Sequence, residues 1–411
     1  MKRIVVVGGG PAGMMAAIAA REQGAQVILL ERNEKLGKKL YITGKGRCNL
    51  TNACDREAFF ANIPENSRFL YSAFHLLSNQ DLMARMEAWG LPLVVERGQR
   101  VFPASQKASD VTRTLTRRMD ELGVFVRLGC RVSALQQEQG RVTGVRLEAG
   151  DEVPADAVIL ATGGVSYPST GSTGDGYRMA ADLGHTLIEP VGSLVPIVTR
   201  ESWPQQVQGL SLKNVALKVR MGKRQVFAQQ GELLFTHFGI SGPLVLSASA
   251  YLAGKPLDDC ALSIDLKPAL QPEQVQARLL RELSDDPRKL LRSVMGALLP
   301  RSLGPVMLDL AGIDGQTLAG NLDKAARARL AQLLKALPLT PARLAPVEEA
   351  VITRGGVKVG EVDPKTMASK KLPGLFLAGE LLDVDGFTGG FNLQIAFSTG
   401  YAAGLGAAAG N

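Results

Sequence analysis

The chain has 411 residues, 45% apolar and 21% charged, with a net charge of +8. That length suits two or three domains with full cores, and that composition excludes a disordered, collagen-like or coiled-coil protein. No apolar run reaches the roughly 18 residues of a membrane span.

The N-terminal Met1-Lys2-Arg3 and its apolar continuation are interrupted by Gly8-Gly9-Gly10-Pro11, so they read as strand, turn and helix of a mature chain, not as a signal peptide. Cys48, Cys54, Cys130 and Cys260 show neither CxxC nor zinc spacing, and 3 His are too few for a His-rich metal site. Reduced thiols in the cytoplasm, with no metal and no membrane, are the expectation.

In chain order, residues 4–7 form a short buried-type strand and Gly8-Gly9-Gly10-Pro11-Ala12-Gly13 a turn. A helix over 12–23 and a strand over 27–30 ending at Glu31 complete one βαβ unit. Residues 33–56 form a basic, Gly-containing loop with Lys35, Lys38, Lys39, Lys45 and Arg47. Helical patterns follow at 67–88 and 108–122, then a strand at 157–160 running into Ala161-Thr162-Gly163-Gly164. The Gly-rich run 169–176 leads into a helix through Ala181.

The character changes near Pro190. Val215, Leu217, Val219 and Met221 alternate with polar residues, Gly222-Lys223 reads as a hairpin turn before a strand at 225–235, and Leu262, Ile264 and Leu266 alternate again. Helices are then expected from Pro272, from Asp286-Pro287 to a stop at Pro300, and over 324–337. A strand at 375–378 ends at Gly379-Glu380, and 386–392 leads into a C-terminal helix. The simplest organisation is one Rossmann-like α/β domain, residues 1–190 and 341–411, interrupted by an insertion over 191–340 with a β part to 268 and a helical part from 269.

Charge is uneven. Residues 191–340 hold 18 Lys/Arg and 12 Asp/Glu, whereas the rest of the chain holds 29 and 27. A basic module on a near-neutral body fits a polyanionic partner; solvated helix faces are the plainer reading.

Gly8-x-Gly10-x-x-Gly13 with Glu31 is the dinucleotide fingerprint. Gly8 allows the tight turn, Gly10 lets backbone approach a pyrophosphate, Gly13 lets helix pack on strand, and Glu31 is placed for a ribose diol. The fingerprint does not choose between FAD and NAD. The C-terminal segment favours the extended flavin: Gly379-Glu380 is placed for ribitol hydroxyls, and a helix starting near Asn392 for the flavin edge that gains negative charge on reduction. The alternative there is a Gly-rich turn before a packing helix. No second GxGxxG follows a strand, so a reducing nicotinamide would visit the same open face as the substrate.

Four segments carry a family resemblance. They are Thr43-Gly-Lys-Gly-Arg-Cys-Asn-Leu-Thr-Asn52, Phe238-Gly-Ile-Ser-Gly-Pro243, Thr353-Arg-Gly-Gly-Val357 and Leu377-Ala-Gly-Glu-Leu-Leu-Asp-Val-Asp-Gly386, the last extended by Gly389-Gly390-Phe391-Asn392-Leu393-Gln394. In order and spacing they resemble the RdsA/BaiN/aminoacetone-oxidase-like (YhiN-like) flavoproteins over nearly the whole chain. The resemblance implies a two-dinucleotide-binding-type FAD domain interrupted by a β-barrel and a helical subdomain. Carried over by position, Gly8, Gly10, Pro11, Ala12 and Gly13 would bind the FAD pyrophosphate, and Glu31 and Arg32 would flank the adenosine. Lys39, Gly46, Arg47 and Asn49 would lie along the cofactor, Thr162-Gly163 would pass near it, and Gly379, Glu380, Asp385, Asn392 and Leu393 would meet ribitol and flavin. Lys45 departs from the pattern, since many relatives have Gly there.

Cys48 has two readings: a thiol beside the flavin that protonates a substrate carbon, its pKa tuned by Arg47, or a small buried residue in a tight loop. A Cys48–Cys54 disulfide is a lesser option. His75, His185 and His237 are scattered, and His237 is the one to mutate. The expected activity is NAD(P)H-driven, FAD-dependent reduction of an activated C=C bond. The candidate substrates are uridine in 23S rRNA, with the basic insertion and its Arg278, Arg281, Arg288, Lys289 and Arg292 as RNA dock, or a small enone such as a dehydro bile acid. An amine oxidase using O₂ and a non-enzymatic FAD-bound RNA-binding protein are further alternatives. Oligomeric state is left open.

Overall fold

A computed structural model describes residues 1–409. The chain divides into two units, one formed by Met1–Ser193 with the segment from Val347 onward, the other by Leu194–Pro346.

The first unit is a Rossmann-type α/β fold. Five parallel strands lie in the order Leu375–Leu377, Ala157–Leu160, Arg3–Val7, Gln26–Leu30, Phe125–Arg127. The central Arg3–Val7 and Ala157–Leu160 strands are apolar because both faces are covered. The Pro11–Glu22 helix is rich in Ala and Met and almost wholly buried. The reason is the C-terminal helix, Phe391–Ala409, which lies so close that Gly400 and Gly404 meet the backbone of Ala12 and Ala16. That contact explains a terminal helix that is apolar on nearly every side. Smaller antiparallel sheets flank the main one: Thr51–Asn52, Arg100–Pro103 and Leu93–Glu96; Val132–Glu138, Arg141–Leu147 and Glu152–Pro154; and the pair Leu187–Ser193 with Ile352–Val357.

The second unit has its own core around a seven-stranded antiparallel sheet in the order Leu337–Leu339, Cys260–Asp265, Ser211–Met221, Arg224–Thr236, Gly239–Ser241, Ile197–Thr199, Pro341–Leu344. Its two edge strands are joined through Thr340 alone, so the chain passes from one edge of the sheet to the other within a residue. Helices Pro272–Asp285, Leu291–Leu298, Leu303–Ala311 and Lys324–Lys335 contribute the rest of that core.

Several local expectations are corrected. The 67–88 pattern is a 3-10 turn and two helices, Tyr71–Leu76 and Asn79–Ala88, because Ser78 and Asp81 form a capping box that restarts the helix. The helix expected from Asp286-Pro287 begins at Leu291; Asp286 instead accepts from the Arg288 amide and closes a turn. Leu303–Ala311, beyond the expected stop at Pro300, carries no expected element. It is a helix, with Pro305 in the first turn, where a missing N–H costs nothing. The strands after the helical part return to the sheet of the second unit. Among the described residues no single helix is long and apolar enough to cross a membrane.

Candidate functional site

Four parallel strands end on one edge of the main sheet, and each hands over to a residue of interest: Val7 to Gly8, Leu30 to Glu31, Leu160 to Thr162 and Leu377 to Gly379. Ligands of open α/β sheets bind at this edge.

Gly10 caps the first helix without a side-chain hydrogen bond, Pro11 follows, and no acid sits in the first turn. The first helical bond runs from the Met14 amide to the Gly10 carbonyl at 2.9 Å, so the Ala12 and Gly13 amides remain for an anion. A Cβ at Gly10 would meet nothing within 4 Å, whereas one at Gly13 would overlap the Gly8 carbonyl oxygen. The turn is thus open toward a ligand and closed toward the strand.

Glu31 is buried. Its Oε2 accepts from the Gly9 amide at 2.6 Å, and its Oε1 from the Asn33 amide and side chain at 2.8 and 2.6 Å. Both oxygens are held; Oε1 has both lone pairs engaged and Oε2 keeps one for a hydroxyl. Arg32 turns to Thr173 Oγ1 (2.6 Å) and Asp175 (3.0 Å). Hydrogen bonds from Arg131 hold the Asp175 carboxyl below its ordinary range.

Lys39 and Glu380 meet at 2.8 Å. Lys39 Nζ also donates to Ser166 Oγ at 2.7 Å, while Glu380 Oε1 accepts from Ser166 Oγ (2.9 Å) and the Thr353 amide (2.8 Å). Thr353 Oγ1 in turn accepts from the Val165 amide at 2.8 Å. Sequence reasoning missed Ser166, and it quoted Thr353 without giving it a role; the signal available was the polar run after Gly163-Gly164. Beside this knot Thr162 Oγ1 is buried without a partner among the described residues. Gly163 has φ +75°, and so does Gly379, whose amide donates to Thr399 Oγ1 at 3.0 Å.

The 40–49 loop is unusual. Gly44, Lys45, Gly46 and Cys48 all have positive φ, at 56°, 59°, 84° and 59°. This is why Gly suits position 45, and Lys45 holds the same left-handed conformation at a cost. Lys45 and Gly46 are exposed. Arg47 is engaged by Glu96 and Gln106, both at 2.9 Å, and stacks on Phe102. Cys48 is 0% exposed, and burial pushes its thiol up to about 12. The proton-donor reading of Cys48 is therefore overturned: the sulfur has no access, no cation, and a tight loop around it. All four cysteines are free thiols. With its amide oriented to satisfy both ends, Asn49 donates to Val101 and Thr51 carbonyls (3.2 and 3.1 Å) and accepts from the Gly390 amide at 3.0 Å, pinning the loop to the start of the C-terminal helix.

Asp385 is 2% exposed; Ser193 Oγ donates to it at 2.9 Å, Arg354 lies 3.7 Å away, and burial pushes its carboxyl up to about 6. Asn392 closes the Gly386–Phe387 turn through its own amide, and Leu393 is half-buried. Asp385 and Asn392 thus shape the entry to the C-terminal helix. His185 is buried between Glu361 (3.2 Å) and Ser369 (2.8 Å), and His237 packs edge-on against Phe238.

An uncapped helix N-terminus, an open Gly10, a buried acid with a free lone pair on Oε2 and an orphaned Thr162 hydroxyl on one sheet edge fit a dinucleotide with a polyhydroxyl chain. Residues 2–406 match the family described as the HI0933-like protein Rossmann domain. The chain belongs to this HI0933-like family of flavin oxidoreductases. Over 417 aligned residues it is 35% identical to a 3-dehydro-bile acid delta(4,6)-reductase of Clostridium scindens, covering 99% of each chain. It is 30% identical to a ribosomal RNA dihydrouridine synthase of Haemophilus influenzae, covering 98% of this chain and 97% of that one. In fold it is similar to a 3-ketosteroid delta1-dehydrogenase of Sterolibacterium denitrificans, with a TM-score of 0.51 at 15% identity and all of both chains covered. The Rossmann-like α/β fold expected from the motifs is found, and the reductase and synthase names of the two relatives agree with the expected oxidoreductase class.

Proposed function

We propose that this HI0933-like protein uses NAD(P)H to reduce a carbon–carbon double bond conjugated to a carbonyl, and that its substrate is uridine in ribosomal RNA, in the cytoplasm. The observation that supports the reductase reading is the sheet edge, which carries an uncapped helix N-terminus and Glu31, together with the Lys39–Glu380 knot. FAD, when bound, supplies the two-electron chemistry. The Ala12 and Gly13 amides and the dipole of their helix take the pyrophosphate charge, and Glu31 takes the ribose hydroxyls. Lys39 and Glu380, with Thr162, present fixed donors and acceptors to the polyhydroxyl chain. The amide end of the C-terminal helix, pinned by Asn49, favours negative charge at its N-terminus. In the net reaction NAD(P)H supplies one hydride equivalent to one carbon and is left as NAD(P)+, and a proton from solvent completes the other carbon.

The two relatives named above support this reaction class, since a delta(4,6)-reductase and a dihydrouridine synthase both saturate such a bond. A small dehydro acid enone is the second reading, favoured by the 35% identity to the bile acid reductase. The test is nucleoside mass spectrometry of rRNA from a strain lacking the gene, with and without complementation. Loss and return of one dihydrouridine is the expected result. Unchanged rRNA together with NAD(P)H oxidation driven by a dehydro bile acid would replace the RNA reading by the enone reading.

A further inference from the structure

The charge of the second unit is concentrated where the sequence pattern did not place it. The Ser211–Met221 and Arg224–Thr236 strands and their turn carry Lys213, Lys218, Arg220, Lys223 and Arg224, all exposed, and the only carboxylate in that stretch is Glu232. Glu232 stands at the far end of the hairpin, where it accepts from Ser211 Oγ at 2.9 Å. Among the described residues the ion pairs of this unit are Arg200–Asp258, Arg278–Glu282 and Lys335–Asp265, and none uses a hairpin cation. Asp259 is the remaining acid close by, since its carbonyl accepts from the Gly222 amide in the turn.

The register shows why the cations stay unpaired. Lys218 stands opposite Ala228 on one side and Ser263 on the other; Arg220 stands opposite Gln225 and Ala261. These are the positions where an acid would lie within cross-strand reach. Leu212, Val215, Leu217 and Val219 point the other way into the core, so burial fixes which face carries the charge. Asn214, Gln229 and Gln230, also exposed, add neutral hydrogen-bonding groups to the hairpin. Of the five helical-part cations named above, only Arg278 is in an ion pair among the described residues, with Glu282, but Arg281, Arg288, Lys289 and Arg292 are interleaved with Glu282, Asp285 and Asp286, which offset their charge along the chain as no acid does between Lys213 and Arg224.

We infer that the outward face of the 211–236 hairpin docks the phosphate backbone of RNA. A polymer with a charge on every nucleotide meets several unpaired cations at once and releases counterions at each. A polar face without a large exposed apolar side chain lacks the anchor a lipid surface needs. RNA as the occupant rests on the rRNA reading above; the unpaired charge does not.

The experiment titrates full-length, FAD-loaded protein with protein-free ribosomal RNA over a salt series. One variant combines Lys218→Gln, Arg220→Gln, Lys223→Gln and Arg224→Gln, and another combines Arg281→Gln, Arg288→Gln and Lys289→Gln. The hairpin variant is expected to lose about tenfold or more in affinity and about 3 from the slope of log affinity against log salt. Flavin absorbance and melting temperature stay unchanged, which excludes misfolding. The helical variant is expected to keep wild-type binding. An unchanged slope in the hairpin variant, or no RNA binding by wild type at low salt, overturns the proposal; so does wild-type binding to anionic vesicles but not RNA. Hairpin-dependent RNA binding by a protein that reduces neither uridine in that RNA nor a dehydro acid enone sustains the dock and breaks the reductase reading alone.

Discussion

The Gly8–Gly13 turn and the Lys39–Glu380 knot, which on the proposed reading would hold one cofactor, are built in opposite ways. The turn takes all its parts from the first βαβ unit, and each part is fixed by backbone conformation or by the absence of a Cβ. The knot joins Lys39 to a carboxylate 341 positions away and closes through Ser166 and Thr353. The first is rigid because its neighbours along the chain leave no choice; the second is only as rigid as the packing of four distant segments.

Gly13→Val should break the turn outright, because the new side chain would occupy the place of the Gly8 carbonyl. About 3 kcal/mol, or roughly a hundredfold in FAD affinity, is expected, seen as loss of flavin absorbance in the purified protein. Glu380→Gln should weaken the knot by less, about 1–3 kcal/mol, because Lys39 and Glu380 are partly solvated and Lys39 keeps Ser166. A lower melting temperature with a measurable, raised FAD dissociation constant is the expected result; equal losses in both variants would mean that the two regions form one cooperative element. Lys45→Gly should be the smallest effect and of opposite sign. Relief of a left-handed lysine should stabilise the protein by up to about 1 kcal/mol in denaturant melts, flavin content being unchanged.

Reading the chain alone reached the first region and, of the second, named Lys39 and Glu380 but not the partners that join them. Gly8, Gly10, Gly13 and Glu31 carry their roles in spacing, because a turn, a close approach and a strand end are local demands. Cys48 shows the limit. Its neighbour Arg47 is adjacent in sequence, yet the guanidinium goes to Glu96 and Gln106 and the thiol goes into the core. Side-chain direction in a loop with four left-handed residues follows from tertiary contacts, not from adjacency. Ser166 was invisible for a like reason, since a serine acquires a role only when Lys39 and Glu380 arrive beside it.

The basic insertion makes the same point at larger scale. Composition alone located an excess of positive charge between 191 and 340. It could not say which cations would find carboxylates, because that depends on the strand register setting Ala228, Ser263 and Ala261 opposite Lys218 and Arg220.

The sequence by itself determined the parallel α/β sheet, the dinucleotide turn and the family, because residue size, periodicity and glycine spacing act within a few residues of one another. Only the tertiary structure decided the burial of Cys48, the Lys39–Ser166–Thr353–Glu380 knot and the unpaired cationic hairpin face. Each of these is a meeting of segments far apart in the chain, and it is the packed fold that fixes which partners meet and which charges are left without one.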